Sequence, residues 1–280
     1  MMGIKVLKTP ASELGEGVFL DKMTQKLYWL DIVNNNLYQY SLREDKLINT
    51  FALEGNPSCI FSVSDESLTY VNNVGVKQVN LIDGTTKLQV IHSKHCPKKL
   101  RANDGVVLSD SSIIYGTMGY SPEVEEGKIY RLDKKGRVNV YELGVRIPNT
   151  FIEFDNKLLV SDSLKQRIYE IDLIHSQEPQ LRLWKDFSSS NYTPDGGCLS
   201  ERGYVHVALW DGSAIAVMDE NGKVVRKVDL PVLRPTNCII YANRWLYVTS
   251  AYEGMTEAQL EKYPLSGKTL EIDLGSNYDY

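Results

Sequence analysis

The sequence has no long apolar run and no excess of positive charge. No segment of the 280 residues approaches the roughly 18 consecutive apolar residues of a membrane-spanning helix. The first ten residues also lack the apolar core of a signal peptide. The net charge of −5 argues against nucleic-acid binding, because phosphate contacts need clustered Lys and Arg. We therefore expect a cytoplasmic protein with neither a membrane nor a nucleic acid as its partner.

Cysteine and histidine are also scarce, with four of each. The cysteines form no C-x-x-C pair, which excludes a zinc ribbon or a thioredoxin-like motif by spacing. No histidine falls on the recurring polar positions described below, so a histidine-based metal centre or a Ser-His-Asp triad has no support. A reduced protein without a histidine-dependent site is the interpretation that fits these counts.

What the chain does contain is a recurring short turn that carries a small polar or acidic residue. Its six members are Glu16, Ser58, Asn103, Asn149, Asp195 and Asn237. Successive members are 42 to 46 residues apart, a spacing typical of β-propeller blades, whose repeats run to about 40–50 residues. Equivalent positions of successive blades lie around one axis. The six side chains are therefore predicted to converge at the centre of a ring.

The segments between these turns have the pattern of short strands. They are rich in β-branched and aromatic residues and are bounded by Asn, Asp, Ser and Gly. The sequence predicts an all-β fold: one six-bladed propeller of four-stranded antiparallel blades over residues 1–280. Residues 3–8 are predicted to close the ring by pairing in the final blade. A short helix is predicted over residues 253–263.

The recurring polar groups suit a hard cation. Glu16 and Asp195 provide carboxylates, and Asn103, Asn149 and Asn237 provide amide oxygens, the ligand type that Ca²⁺, Mg²⁺ or Mn²⁺ prefers. Two carboxylates that face one channel repel each other unless something positive lies between them. Ser58 and Asn237 are expected to line the channel rather than to bind the ion.

Several motifs, taken in order along the chain, resemble the regucalcin (senescence marker protein) and gluconolactonase family. They are LGEG at 14–17, LYWLDI at 27–32, RANDG at 101–105, YGTM at 115–118, PN at 148–149, SDS at 161–163, PDG at 194–196 and YVTSA at 247–251. The ordered set spans roughly residues 12–275. The chain departs from the family at Val18–Leu20, at Thr150 after Asn149, and at residues 119–122, so the individual sugar is left open.

The resemblance implies a propeller with one divalent cation at its axis and a hydrolase of sugar lactones. Carried over position by position, the metal ligands are Glu16, Asn149 and Asp195, and the substrate contacts are Arg101 and Asn103. Ca²⁺ is the first expectation, with Zn²⁺, Mn²⁺ and Mg²⁺ as alternatives. The sequence carries no signal of oligomeric state.

The mechanistic hypothesis is that the cation polarises the lactone carbonyl and that an activated water attacks it. Asp195 is the candidate general base, although the cation itself could activate the water. Arg101 and Asn103 would hold sugar hydroxyls or steady the oxyanion. Asp104 is expected chiefly to stabilise its turn, with a place in the pocket lining as the alternative, and Tyr120 either lines the pocket mouth or packs on the surface.

Two further functions remain open at this point. A non-catalytic calcium-binding regulatory propeller would use the same ligands, and only Arg101 and Asn103 favour chemistry over binding alone. An interaction scaffold ranks last because carboxylates lie on the axis. The dipeptide Trp210-Asp211 resembles a WD40 signature but occurs in one repeat only, where it is predicted to form a hairpin turn.

Overall fold

A computed structural model describes residues 3–91, 99–155, 157–172 and 179–275, and within them 24 strands form six four-stranded antiparallel sheets. The first three blades are built from β2 (Gly15–Asp21), β3 (Lys26–Asp31), β4 (Asn36–Ser41) and β5 (Lys46–Ala52); β6 (Cys59–Val63), β7 (Ser67–Val71), β8 (Gly75–Asn80) and β9 (Thr86–Ile91); and β10 (Leu100–Val107), β11 (Ile113–Gly119), β12 (Lys128–Leu132) and β13 (Val138–Tyr141). The last three are built from β14 (Pro148–Phe154), β15 (Lys157–Asp162), β16 (Arg167–Ile171) and β17 (Leu181–Asp186); β18 (Thr193–Leu199), β19 (Val205–Trp210), β20 (Ala214–Met218) and β21 (Val224–Asp229); and β22 (Arg234–Tyr241), β23 (Trp245–Ala251), β24 (Leu270–Asp273) and β1 (Gly3–Val6). The predicted six-bladed propeller is confirmed.

The N-terminal strand closes the ring. In the sixth sheet the strand order is β1-β24-β23-β22, and the register pairs Gly3 with Asp273 and Val6 with Leu270. The backbone N–H of the buried Leu7 continues this pairing by donating to the Thr269 carbonyl at 2.9 Å. Closure by this segment, which the sequence predicts, is confirmed. It leaves the C-terminal strand of the sheet without an open edge.

The hydrophobic core is divided among the interfaces between blades. Among the described residues, six clusters of buried apolar side chains lie one between each pair of neighbouring blades, including the last and first blades, and a smaller seventh contains Leu14, Ile32 and Ala251. At that closing interface Trp29 stacks on Tyr38 with ring centroids 5.2 Å apart, and Tyr247 packs against them from the sixth blade. Because each blade buries both faces only against its neighbours, the ring is stabilised as a closed unit.

Burial falls from the middle of each blade to its rim. The central strand β3 is almost wholly buried, whereas the outer strand β5 is mostly exposed. Central strands are therefore apolar on both faces, and outer strands carry polar residues. The sequence pattern identifies the inner three strands of a repeat more clearly than the fourth for this reason.

One short helix interrupts the last repeat. Helix α1 (Glu257–Lys262) begins at the N-cap residue Thr256, whose hydroxyl accepts the Gln259 N–H in a capping box. The prediction of a helix in residues 253–263 is confirmed, with the segment before Thr256 forming turns instead. Among the described residues no helix is long and apolar enough to cross a membrane. Cys59, Cys198 and Cys238 are free thiols, and Cys96 lies outside the described residues.

Candidate active site

A β-bulge lies at the recurring polar position in five of the six innermost strands. The register shifts between Glu16 and Phe19, with equivalent shifts in β10, β14, β18 and β22. A bulge leaves residues out of the ladder and redirects their side chains. In the second blade the shift comes later, between Ile60 and Ser62, so Ser58 precedes it. The bulges explain why the side chain at the recurring position of these repeats lies at the axis of the propeller.

Gly17 shows why a glycine follows the first of these residues. Its φ is +59°, and a Cβ at this position would lie 3.0 Å from the Ser58 carbonyl oxygen. Glycine alone adopts this left-handed conformation without penalty. The Gly17 N–H then donates to Glu16 Oε2 at 3.1 Å, so the turn also orients the carboxylate that precedes it.

Two buried aspartates fix the segments that lead into the site. Asp31 accepts the backbone N–H groups of Glu13 and Leu14 at 2.9 and 3.3 Å. Asp162 does the same for Arg146 and Ile147 at 3.1 and 3.3 Å. Both belong to the recurring LD and SD motifs at the end of the second strand. They bond the backbone just before Glu16 and Asn149. Their carboxylates therefore stabilise the fold and are not candidate ligands of a cation or substrate.

The structure brings five of the predicted site residues into one cavity of about 400 Å³. Its floor contains Glu16, Arg101, Asn103, Asn149 and Asp195. Its apolar wall is formed by Leu14, Met118, Ile147, Leu164 and Trp210. The lining also includes three half-buried polar side chains, here called the rim of the cavity: Gln166, Asp211 and Glu253. A concave site with an apolar wall and a few converging polar groups is the usual form of a small-molecule site.

A chain of hydrogen bonds crosses the floor of this cavity. Arg101 Nη1 donates to Asn103 Oδ1 at 2.8 Å, and Asn103 Nδ2 donates to Asn149 Oδ1 at 2.7 Å. Asn149 Nδ2 donates to the Ser163 hydroxyl at 3.0 Å, which in turn donates to the Pro194 carbonyl at 2.7 Å. The chain links three blades and ends beside Asp195. Predicted cation ligands and predicted substrate contacts are therefore one connected unit.

Glu16 and Asp195 are buried carboxylates that act on each other. They are 8% and 7% exposed, and among the described residues neither forms a direct ion pair. The charge of the nearby Arg101 lowers the pKa of each carboxylate, but by less than burial raises it. Burial, followed by the charge of Asp104, raises the pKa of Glu16 to about 8. Burial, followed by the charge of Glu16, raises the pKa of Asp195 well above its usual value. Burial of both carboxylates therefore raises the free energy of the folded protein, and a cation placed between them would lower it.

The residues fit a hard divalent cation. The described residues contain no cluster of three or more His, Cys, Asp or Glu side chains suited to a metal. The candidate set instead consists of two carboxylates and the Asn149 amide oxygen. This set provides oxygen only, which suits Ca²⁺ or Mg²⁺ with water completing the coordination. Buried, mutually repelling carboxylates beside an amide oxygen are the observation that supports a cation here.

Asp104 does not line the main cavity and instead lines a smaller one of about 110 Å³. Its carboxylate accepts the Phe151 N–H at 3.3 Å and also the N–H of Thr150, and burial raises its pKa to about 6. These contacts are those of a carboxylate that stabilises the turn. Asn237 lines the same smaller cavity, and its side-chain nitrogen donates to Glu16 Oε2 at 3.3 Å. Ser58 is buried but is not among the lining residues of the main cavity.

Tyr120 lies outside the main cavity. Its side chain is 54% exposed, and its hydroxyl donates to Asn56 Oδ1 at 3.0 Å. That contact joins the loop after β11 to the turn that precedes β6. Of the two positions predicted for Tyr120, the structure shows the one in which the side chain packs on the surface. Residues 92–98, which belong to the segment whose conformation the sequence leaves open, lie outside the described residues.

Sequence reasoning missed several groups around the site. The sequence predicts only a hairpin turn at Trp210, yet this residue lines the cavity, with the Arg234 guanidinium 4.9 Å from its ring centroid. Ser163 belongs to the SDS motif, but the motif alone does not predict its place in the hydrogen-bond chain. Glu253 lies in the first turn of the predicted helical segment and lines the rim. The hairpin position of Trp210 next to an axial strand was the available signal.

The family now follows from a direct comparison. Residues 14–252 match the family described as the SMP-30/Gluconolactonase/LRE-like region. The chain belongs to this family. Its resemblance in motif order is thereby confirmed over most of its length.

Relatives and solved structures agree with this assignment. The chain is 25% identical to a putative sugar lactone lactonase of Rhizobium meliloti (strain 1021), covering 96% of this chain and 93% of the relative. It is also 25% identical to regucalcin of Danio rerio, covering 93% and 90%. Among solved structures, regucalcin from Agrobacterium tumefaciens, described as a calcium-binding protein, superposes with a TM-score of 0.87 at 23% identity, covering 95% and 92%. At that identity the superposition shows the fold.

Proposed function

We propose that this protein hydrolyses sugar lactones with the help of one divalent cation held by Glu16, Asn149 and Asp195. The observation that carries the proposal is the cavity floor. Two buried carboxylates that form no direct ion pair among the described residues adjoin the Arg101–Asn103 pair there, and the charge of Arg101 offsets only part of the effect of their burial. Relatives with this family's fold are named as a putative sugar lactone lactonase and as the 6-deoxy-6-sulfogluconolactonase of Pseudomonas putida, which is 25% identical over 94% of this chain. Calcium is the preferred ion, because all three ligands are hard oxygens.

The chemistry divides among the residues of the floor. A bound divalent cation supplies Lewis-acid polarisation of a carbonyl oxygen. Asp195 accepts a proton from the attacking water, and the ring oxygen leaves with a proton to give the open-chain hydroxy acid. Arg101 and Asn103 donate hydrogen bonds to the substrate's hydroxyls or to its developing oxyanion, where aligned donors contribute most to rate.

The walls determine what the floor can act on. Trp210 contributes an aromatic ring to the wall, and the Arg234 guanidinium lies 4.9 Å from its centroid. Arg234 Nε also donates to Asp211 Oδ1 at 2.6 Å. Leu14 and Ile147 line the wall with aliphatic groups. A sugar ring presents C–H groups on one face and hydroxyls at its edge, so this combination fits a cyclic polyol derivative. The individual lactone depends on these walls rather than on the floor.

A substrate panel tests the proposal. Proton release should be followed from δ- and γ-aldonolactones in calcium-containing buffer, with wild-type protein and with Asp195→Ala. Rapid hydrolysis by the wild type and its loss in the variant are expected. Calcium binding without turnover of any lactone would favour the non-catalytic calcium-binding alternative. Turnover that survives in Asp195→Ala with the ion still bound would remove Asp195 as the base. A cytoplasmic location stays a prediction.

A further inference from the structure

Two buried threonines form hydrogen bonds to the backbone next to the two carboxylates of the site. The Thr150 hydroxyl donates to the backbone carbonyl of Asp195, and the Thr236 hydroxyl donates to the carbonyl of Gly15, the residue before Glu16. Both threonines are fully buried. In each case the donor lies on the innermost strand of one blade, and the acceptor lies on the innermost strand of the next. The two contacts differ by position in the repeat: Thr150 follows the recurring residue Asn149, whereas Thr236 precedes the recurring residue Asn237.

Thr150 adopts a conformation that its side chain disfavours. Its φ is +54°, in the left-handed region that β-branched residues rarely occupy. It lies in the bulge between Asn149 and Ile152. Glycine at this position would avoid the strain but would lack a hydroxyl. Strained residues of this kind persist where the surroundings enforce them, commonly at functional sites.

The carbonyl of Asp195 needs a donor from outside its own blade. The register of β18 with β19 shifts between Pro194 and Gly197, which leaves Asp195 out of the ladder. The preceding carbonyl, of Pro194, is bonded by the Ser163 hydroxyl at 2.7 Å. The fourth blade therefore bonds two consecutive carbonyls, on both sides of the Asp195 side chain. This arrangement limits rotation of the backbone from which the carboxylate projects.

We infer that Thr150 and Thr236 are positioning residues that hold the two carboxylates of the cation site at a fixed separation by bonding their backbones from the preceding blade. The inference rests on the proposed function, because it concerns the same cation site. Neither hydroxyl touches the cavity, so each acts through a neighbour. Groups that orient metal ligands in this way typically contribute 10–100-fold in metal affinity.

Calcium affinity and thermal stability, measured on the same chelator-stripped samples, test the inference. Affinity comes from calorimetric titration with Ca²⁺, and stability from thermal melting in EDTA. Thr150→Val and Thr236→Val keep the branched shape and remove the hydroxyl, and each is expected to weaken calcium binding about 10–100-fold. Thr150→Ser and Thr236→Ser restore the donor and should bind within about twofold of the wild type.

Two further variants separate positioning from general stability. Thr117 is also fully buried, but its hydroxyl accepts the Lys128 N–H at 3.1 Å within the third blade. Thr117→Val should lower the melting temperature and leave calcium affinity unchanged. Thr150→Gly relieves the backbone strain without supplying a hydroxyl, so it should melt no lower than Thr150→Val and bind calcium as weakly.

The outcomes are distinct. Valine variants that bind calcium as the wild type does, whatever their melting temperature, would overturn the inference, as would full affinity in Thr150→Gly. Calcium binding by the wild type without lactone turnover would sink the enzymatic proposal and leave the positioning result standing. A wild-type protein that binds no divalent cation would overturn both.

Discussion

The side-chain nitrogen of Asn103 lies 2.7 Å from the side-chain oxygen of Asn149, across the boundary between the third and fourth blades. The same nitrogen donates to the Pro148 carbonyl at 3.1 Å, and its own amide oxygen accepts from Arg101. Asn103 therefore sets the orientation of a candidate cation ligand and of a candidate substrate contact together. Replacing it should affect both functions, unlike replacement of a residue that only contacts substrate.

Asn103→Ala is expected to lower kcat/KM for a lactone substrate by about 100-fold, because misplacing reacting groups by about 1 Å costs that much. Steady-state kinetics measured by proton release give this number. Ser58→Ala is the matched control from the second blade, since the Ser58 hydroxyl is buried and has no hydrogen-bond partner within the described part of the chain. It should leave turnover unchanged and stability unchanged or slightly higher. Equal losses in the two variants would contradict a special position for Asn103.

Neutralising one carboxylate should stabilise the metal-free protein. Asp195→Asn and Glu16→Gln keep the shape of each side chain and remove the cost of burying an ionisable carboxyl group, the first cause of both raised pKa values, together with the repulsion from neighbouring carboxylates. In EDTA the melting temperature is expected to rise by about 2–4 °C for each kcal/mol gained. The increase that calcium produces in the wild type should disappear. A variant that melts lower in EDTA and is still stabilised by calcium would show that the carboxylates do not form the cation site.

His206 predicts an acid dependence of stability that is independent of the site. Burial lowers the pKa of its imidazole from 6.5 to about 4, and its Nδ1 lies 3.2 Å from the Tyr204 carbonyl oxygen. Between these values the unfolded chain binds a proton and the folded protein does not, so stability falls as the pH decreases from 6.5 to 4. At 1.36 kcal/mol per pH unit the loss approaches about 3 kcal/mol.

Urea denaturation of the wild type and of His206→Gln at pH 7.5 and pH 5 measures this contribution. Other groups also titrate in this range, so the informative quantity is the difference between the two proteins. The free energy of unfolding should fall less in the variant than in the wild type. An identical pH dependence in both proteins would show that His206 is not held neutral in the fold.

Trp210 is expected to contribute to substrate binding more than to turnover. Its ring lies on the cavity wall and is backed by Arg234. Trp210→Ala should raise KM by up to about tenfold, in line with about 0.5–1.5 kcal/mol for an aromatic contact, while kcat changes less. Trp184→Ala is the matched control, because Trp184 lies in the outer strand β17 and its indole nitrogen donates to the Glu220 carbonyl. An equal change in KM for both variants would contradict stacking on Trp210.

The repeat pattern predicts the ring because spacing alone determines where blades recur. Glu16, Asn149 and Asp195 are predictable as neighbours for the same reason, since equivalent positions of a closed ring must converge. The closing strand is also predictable, because an apolar N-terminal segment has no partner in its own repeat. These features depend on order and period along the chain.

Contacts between blades are not predictable in the same way. The hydroxyl of Thr150 could bond within its own turn or across to Asp195, and only the three-dimensional separation of the two blades decides this. Trp210 and Glu253 reach the cavity from a hairpin and a loop, whose paths depend on packing rather than on period. The exposed outer strands, such as β5, give a weak signal because their polar residues resemble those of loops.

Parallel titration of calcium binding and of initial lactone hydrolysis on one chelator-stripped sample tests the central claim most directly. We expect one calcium site per chain, no hydrolysis before calcium is added, and a rate that rises in proportion to occupancy of that site. Glu16→Gln should lose binding and rate together. Full hydrolysis by the stripped protein, or saturated binding without hydrolysis of any sugar lactone, would contradict the account.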